Sequence, residues 1–156
     1  MAGVATHPSP GANAKHAARQ RRRRSDLWIG CTAMFAAMLT LPIAPTGWQG
    51  PEVAAVLAIA ATSMLAGQRW ALAVVVIAEL LLLPTAWPSA FLAEDSYTRV
   101  AAFGSLVAVV PGLLAMRRAA AALVLVSGRR RTSSTCRRFH TGLVAIGMIA
   151  ALLPVI

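Results

Sequence analysis

The charges of this chain fall in a pattern that few folds accommodate. Long apolar runs, with Glu79 their one charged residue, alternate with short clusters of arginine. The apolar runs are Leu27–Ala44, Val53–Gly67, Trp70–Trp87, Val100–Met116 and Phe139–Ile156. A helix of about 18 residues rises about 27 Å, close to a hydrocarbon core of about 30 Å. Assigning the runs as successive crossings divides Lys and Arg very unevenly. The N-terminal tail, the turn at Arg69 and the stretch Arg117–Arg138 together hold fourteen, and the opposite side holds only Arg99. Basic residues are retained on the cytoplasmic side of a membrane. The pattern therefore predicts an all-α membrane protein, a bundle of about five transmembrane helices with the N-terminus inside and the C-terminus outside. The cell (cytoplasmic) membrane is the expected location.

Composition agrees. Of the 156 residues 58% are hydrophobic and only 13% charged, yet the net charge is +10. Soluble domains carry about 25% charged residues. The tail arginines have no interleaved aromatic residues on which bases would stack, so no nucleic-acid partner is expected. Two organisational units follow. Residues 1–26 read as a disordered basic tail, since Pro8, Pro10 and Gly11 disfavour regular structure and little can be buried. Residues 27–156 read as the bundle. The tail followed by an apolar run also resembles a signal sequence in outline. No A-x-A site follows the run, however, and Pro42 and Pro45 crowd its end, so an uncleaved anchor is expected.

Between the second and third spans, Gln68 and Arg69 predict a tight turn. Trp70 and Trp87 mark the two interfaces of one crossing. Residues 88–99 are expected as a loop in which Phe91, Leu92 and Tyr97 dip into the interface. Arg117 and Arg118 are expected to end the fourth span, because each would cost about 2.5–3.5 kcal/mol at mid-depth. Residues 119–126, too short to cross, are expected to continue along or below the interface.

In lipid no hydrophobic drive holds helices together, so small residues that permit close approach mark contact faces. Ala54, Ala58, Thr62 and Ala66 repeat every fourth residue in the second span, and Gly104, Ala108 and Gly112 do so in the fourth. Both stripes are expected to lie in helix contacts, with one another or with a partner protein. Pro42, Pro84 and Pro111 lie in or near spans, where proline is tolerated.

One residue carries candidate chemistry. Glu79 sits near the centre of the third span, about 12–13 Å from either interface. An acid there is expected to face the bundle interior and to find a partner. With no cation in any span it is expected as the neutral acid, donating to Thr62 or Ser63 across the tight turn, or to the Leu80 carbonyl that Pro84 frees. Two functions fit. One is a non-enzymatic accessory, assembly or anchoring component of a membrane complex. The other is a small proton- or cation-linked transporter or channel using Glu79. The first is favoured, because a lone intramembrane acid makes no relay.

No enzyme is expected. Glu94 and Asp95 are adjacent and would point apart on a helix, and no histidine accompanies Ser96 on that side. No cofactor is expected. Cys136 and His140 are four apart, but two donors make no zinc site, and Cys31 is remote from them. The expected partners are the lipid bilayer and a membrane-protein partner or further copies of the chain. Anionic lipid headgroups are also expected, met through Arg21, Arg22, Arg23, Arg24, Arg129, Arg130 and Arg131, each worth about 1 kcal/mol near such a surface.

Overall fold

A computed structural model of the protein describes residues 10–41, 50–128 and 132–152. It contains six helices: α1 Pro10–Thr40, α2 Gly50–Leu65, α3 Ala71–Leu92, α4 Ser96–Leu114, α5 Met116–Val126 and α6 Ser133–Leu152. There is no strand among the described residues. Two helices, α3 and α4, are long and apolar enough to cross a membrane. The other apolar segments are limited by their described bounds. α2 has 16 residues, α1 ends at Thr40 with Arg23, Arg24 and Asp26 in its last 18, and α6 begins with Arg137 and Arg138 in its second turn.

Helices α1 to α4 close a ring in which each packs on its two sequence neighbours and α1 packs on α4. The α5–α6 hairpin hangs on the outside of that ring, against α3. Consequently α3 touches each of the other five helices, and eleven of its residues are buried. Apart from Glu79 its first thirteen residues are all apolar, the composition of a helix buried by its neighbours over most of its surface. Among the described residues α4 and α6 do not touch, so they flank α3 separately.

The α2–α3 turn has a defined local cause. Gly67 adopts φ +87°, its N–H bonds to Met64 O and the Gln68 N–H bonds to Ser63 O. This pair of bonds caps the α2 carbonyls and needs a residue free to take left-handed φ.

Three expectations change. The described part of the basic tail is helical, since α1 runs unbroken from Pro10 into the apolar run. Ala and Arg are strong helix formers, and extending an existing helix avoids the cost of nucleation. Residues 88–99 are mostly helical too. α3 continues through Pro84 and Pro88 to Leu92, and Asp95 then caps α4 by accepting from the Thr98 N–H at 2.9 Å. Lastly, residues 119–126 do not continue the fourth helix but belong to a separate one. Ala115, at φ −87° and ψ 4°, interrupts the helix, and α5 leaves α4 to pack on α3 and α6. Ala119, Ala120, Ala122 and Val124 are buried there. Its small side chains permit the close approach that lipid exposure would forgo.

Candidate functional site

Glu79 lies on the part of α3 that faces α4. It is fully buried, and neither carboxyl oxygen has a hydrogen-bond partner among the described residues. Its position is set by Gly112. A methyl group built on Gly112 would stand 1.8 Å from Glu79 Oε2 and 2.4 Å from Cδ, so only glycine leaves room for the carboxyl. Pro111 precedes it, and the missing proline N–H leaves the Val107 carbonyl without its intrahelical donor. Three residues beyond Gly112 the helix breaks at Ala115. The end of α4 thus combines a lost backbone bond, a missing side chain and the helix break, and of these the missing side chain at Gly112 lies against the acid.

The neighbourhood is otherwise apolar. Leu80 approaches α6, where a methyl on Gly147 would stand 3.0 Å from Leu80 Cδ2. Buried Ser105 donates to Ala102 O at 2.8 Å and buried Thr40 to Ala37 O at 2.8 Å, each within its own helix. Those hydroxyls are committed locally. The site therefore offers one carboxyl group with two acceptor oxygens and, when protonated, one donor.

Thr62 and Ser63 are not brought to Glu79. Thr62 is exposed and donates to Ile59 O at 2.8 Å, and Ser63 is half-buried on α2. Of the α2 stripe, Ala54 is buried and Ala58 packs at the edge of the core, whereas Thr62 and Ala66 are exposed. A strict four-residue repeat advances about 40° per step around a helix of 3.6 residues per turn. By Ala66 it has turned about 120° away from the contact. The face that stays buried mixes steps of three and four: Ala54, Leu57, Ala61 and Met64. The α4 stripe is shorter and its drift is put to use. Gly104 meets α1, where a methyl would stand 2.8 Å from Leu39 Cδ1, Ala108 is buried, and Gly112 meets α3.

Two other polar features are defined. At one end of the bundle Arg118 forms an ion pair with Asp26 and donates to Ser25 Oγ at 3.0 Å, joining α5 to α1. At the other end Arg99 donates to Ala93 O through Nε at 3.2 Å and Nη2 at 2.7 Å, closing the α3–α4 turn. The Thr98 N–H and hydroxyl hold the Asp95 carboxyl below the usual aspartate range. Beside that turn the rings of Trp87, Phe91 and Phe103 pack in series, tilted and then edge to face, with centroids 4.5 and 5.8 Å apart. Among the described residues no group of three or more His, Cys, Asp or Glu stands close enough to hold a metal ion. Arg129, Arg130 and Arg131 lie outside the described residues.

The Gly112 contact and the Arg118–Asp26 pair are absent from the sequence reading. A signal existed for each. Folding α3 and α4 back about a short turn near Asp95 places residue 79 opposite the stretch that contains Gly112. Asp26, for its part, is the sole acid on the arginine-rich side. No protein-family model, curated protein or solved structure matches the chain.

Proposed function

We propose that this protein is a non-enzymatic integral membrane protein of about five spans, with its N-terminus in the cytoplasm and its C-terminus outside. Its role on this reading is that of an accessory, assembly or anchoring component within a complex of the cell membrane. The observation that carries the reading is the inversion of side-chain sizes between inside and outside. The contacts between helices are made largely by alanine: Ala33, Ala36, Ala60, Ala61, Ala102 and Ala120 are almost wholly buried. Large apolar side chains point outward instead. Trp28, Phe35 and Met38 on α1, Val100, Val107 and Leu114 on α4, and Met148 and Ile149 on α6 are all at least half exposed. In water such surface would be costly. In lipid it costs nothing, and small residues at the contacts are what close packing requires. The division of fourteen basic residues against one supports the orientation.

A second reading, a small proton- or cation-linked transporter or channel, draws on Glu79. A fully buried acid without a partner is a functional candidate by default in a membrane. The first reading is preferred because no second ionisable group stands beside Glu79 among the described residues to pass a proton onward.

Reporter fusions after Ala18, Gly50, Gln68, Ser89, Ser133 and Ile156 test the topology, and should alternate from inside to outside. A cytoplasmic C-terminus overturns the five-span reading. Co-purification from native membranes under mild detergent tests the role: a stoichiometric membrane partner supports it. A proton flux into liposomes that is lost in Glu79→Gln selects the transporter instead.

A further inference from the structure

The ion pair between Arg118 and Asp26 joins two boundaries that the sequence sets independently. On α1 the uncharged run begins directly after Asp26, and on the other segment it ends directly before Arg117. The pair holds both at one level, which becomes the edge of the hydrocarbon on the membrane reading proposed above. Because α1 continues as a helix through this level, the depth of each tail residue follows from its rise. Arg24 to Arg21 stand about 3 to 8 Å beyond Asp26 along the helix axis. A headgroup layer is about 5–8 Å thick on each side. Arg19 stands about 10 Å out and Lys15 about 16 Å out, past the layer and past the screening length of about 8 Å at physiological salt. Arg21 to Arg24 are all exposed, and they point around the helix rather than along one face. Arg117, also exposed, adds a charge at the level of the pair. The one acid on this side is already spent on Arg118.

We propose that Arg21, Arg22, Arg23, Arg24 and Arg117 form a collar that binds the phosphate groups of anionic phospholipids in the adjoining leaflet. Guanidinium groups suit this ligand because each can offer two parallel N–H donors to phosphate oxygens. The helical continuation of α1 makes the collar selective by depth. Arg21–Arg24 are held inside the headgroup layer, whereas Lys15 and Arg19 are carried beyond it. A disordered tail would let all six basic residues reach the surface alike. Nucleic acid is the less suited ligand, because the collar encircles a helix at the membrane surface with no aromatic platform beside it.

Trp28 provides the probe, since it lies two residues from Asp26 and is 66% exposed. A variant with Trp48, Trp70 and Trp87 each changed to Phe keeps it as the sole tryptophan. The full chain is reconstituted in phosphatidylcholine vesicles containing equal small fractions of either brominated phosphatidylglycerol or brominated phosphatidylcholine. The anionic quencher should act several-fold more strongly on Trp28, and added salt should reduce the difference. Changing Arg21–Arg24 and Arg117 to Gln should abolish the difference, whereas changing Arg21–Arg24 to Lys or changing Lys15 and Arg19 to Gln should preserve most of it. Equal quenching by the two lipids overturns the collar. A loss as large from the Lys15 and Arg19 changes overturns the assignment by depth. Both leaflets carry the same lipids, so the result does not depend on orientation, which the reporter fusions test alone. Failure of the chain to float with the vesicles overturns the membrane reading itself.

Discussion

Helices α3 and α4 are adjacent, similar in length and the two most membrane-like segments of the chain, yet they are used differently. Of the most apolar 18-residue window, 56% is buried in α3 and 33% in α4. The large residues of α4 point away from the protein: Val100, Phe103, Val107, Val110 and Leu114 recur at steps of three and four and are exposed. Its contacts are made by Ala101, Ala102, Ser105, Ala108 and Gly112. α3 buries large and small residues alike, because all five other helices contact it, and it leaves Ile77, Leu81 and, in its last turns, Trp87, Phe91 and Leu92 exposed. Within α4, then, side-chain hydrophobicity does not decide which face is buried. In a lipid solvent every apolar face is satisfied outside, and burial goes to the face that packs most closely.

The comparison can be broken most severely at Gly112, where the two helices meet over the carboxyl. Gly112→Leu should prevent their assembly. Gly112→Ala places a methyl into Glu79 and should cost about 3 kcal/mol, toward the upper end for overpacking. Glu79→Ala combined with Gly112→Ala should recover most of that loss. Unfolding in mixed detergent micelles measures all three, and simple additivity of the two changes would refute the contact.

A sharper test contrasts the two faces of α4 itself. Ala102→Leu, on the buried face, should destabilise by about 1–3 kcal/mol. Val107→Leu, on the outward face, should fall within about 0.5 kcal/mol of the parent. Similar losses at both would mean that α4 is enclosed by a partner rather than by lipid.

Accessibility sharpens the boundary where α4 gives way to α5. A cysteine at Ala120, wholly buried, should resist a water-soluble maleimide, and one at Val126, 65% exposed, should react. Arg118→Leu should change overall stability by less than about 1 kcal/mol, since its pair with Asp26 is partly solvated. Rapid labelling at Ala120 in the parent would return residues 119–126 to the surface.

The smallest effect belongs to the turn that joins the two helices. The Asp95 carboxyl is held below its ordinary value of 3.8 by the Thr98 N–H and hydroxyl. A lowered folded value means that the cap is fully formed above that range and is lost as pH falls below 3.8. Amide exchange at Thr98 and Arg99 should quicken there. Asp95→Asn, which keeps the acceptor oxygen, should remove the pH dependence without fraying the helix.

Much of the architecture was legible along the chain because its causes are local. Runs of apolar residues select helices, Gly67 with Gln68 sets a turn, and arginine clusters mark where apolar segments end. The burial of Glu79 followed from its place in the run. Its surroundings did not, because Thr62 and Ser63 are near it in sequence only. Whether a side chain on α2 points toward α3 depends on rotation, and one residue of phase is about 100°. The same phase separates the regular stripe of Ala54, Ala58, Thr62 and Ala66 from the face that packs.

Charge placement and hydrophobic length act between each segment and its solvent, so they can be read one segment at a time. Which helix stands at the centre cannot. That Gly112 rather than Thr62 meets Glu79, that α5 packs inward, and that Arg118 reaches Asp26 across 92 positions are pairings between segments. Apolar helices in lipid have no solvent preference to discriminate among them. Shape at the contact decides, and that shape exists only once the helices are assembled.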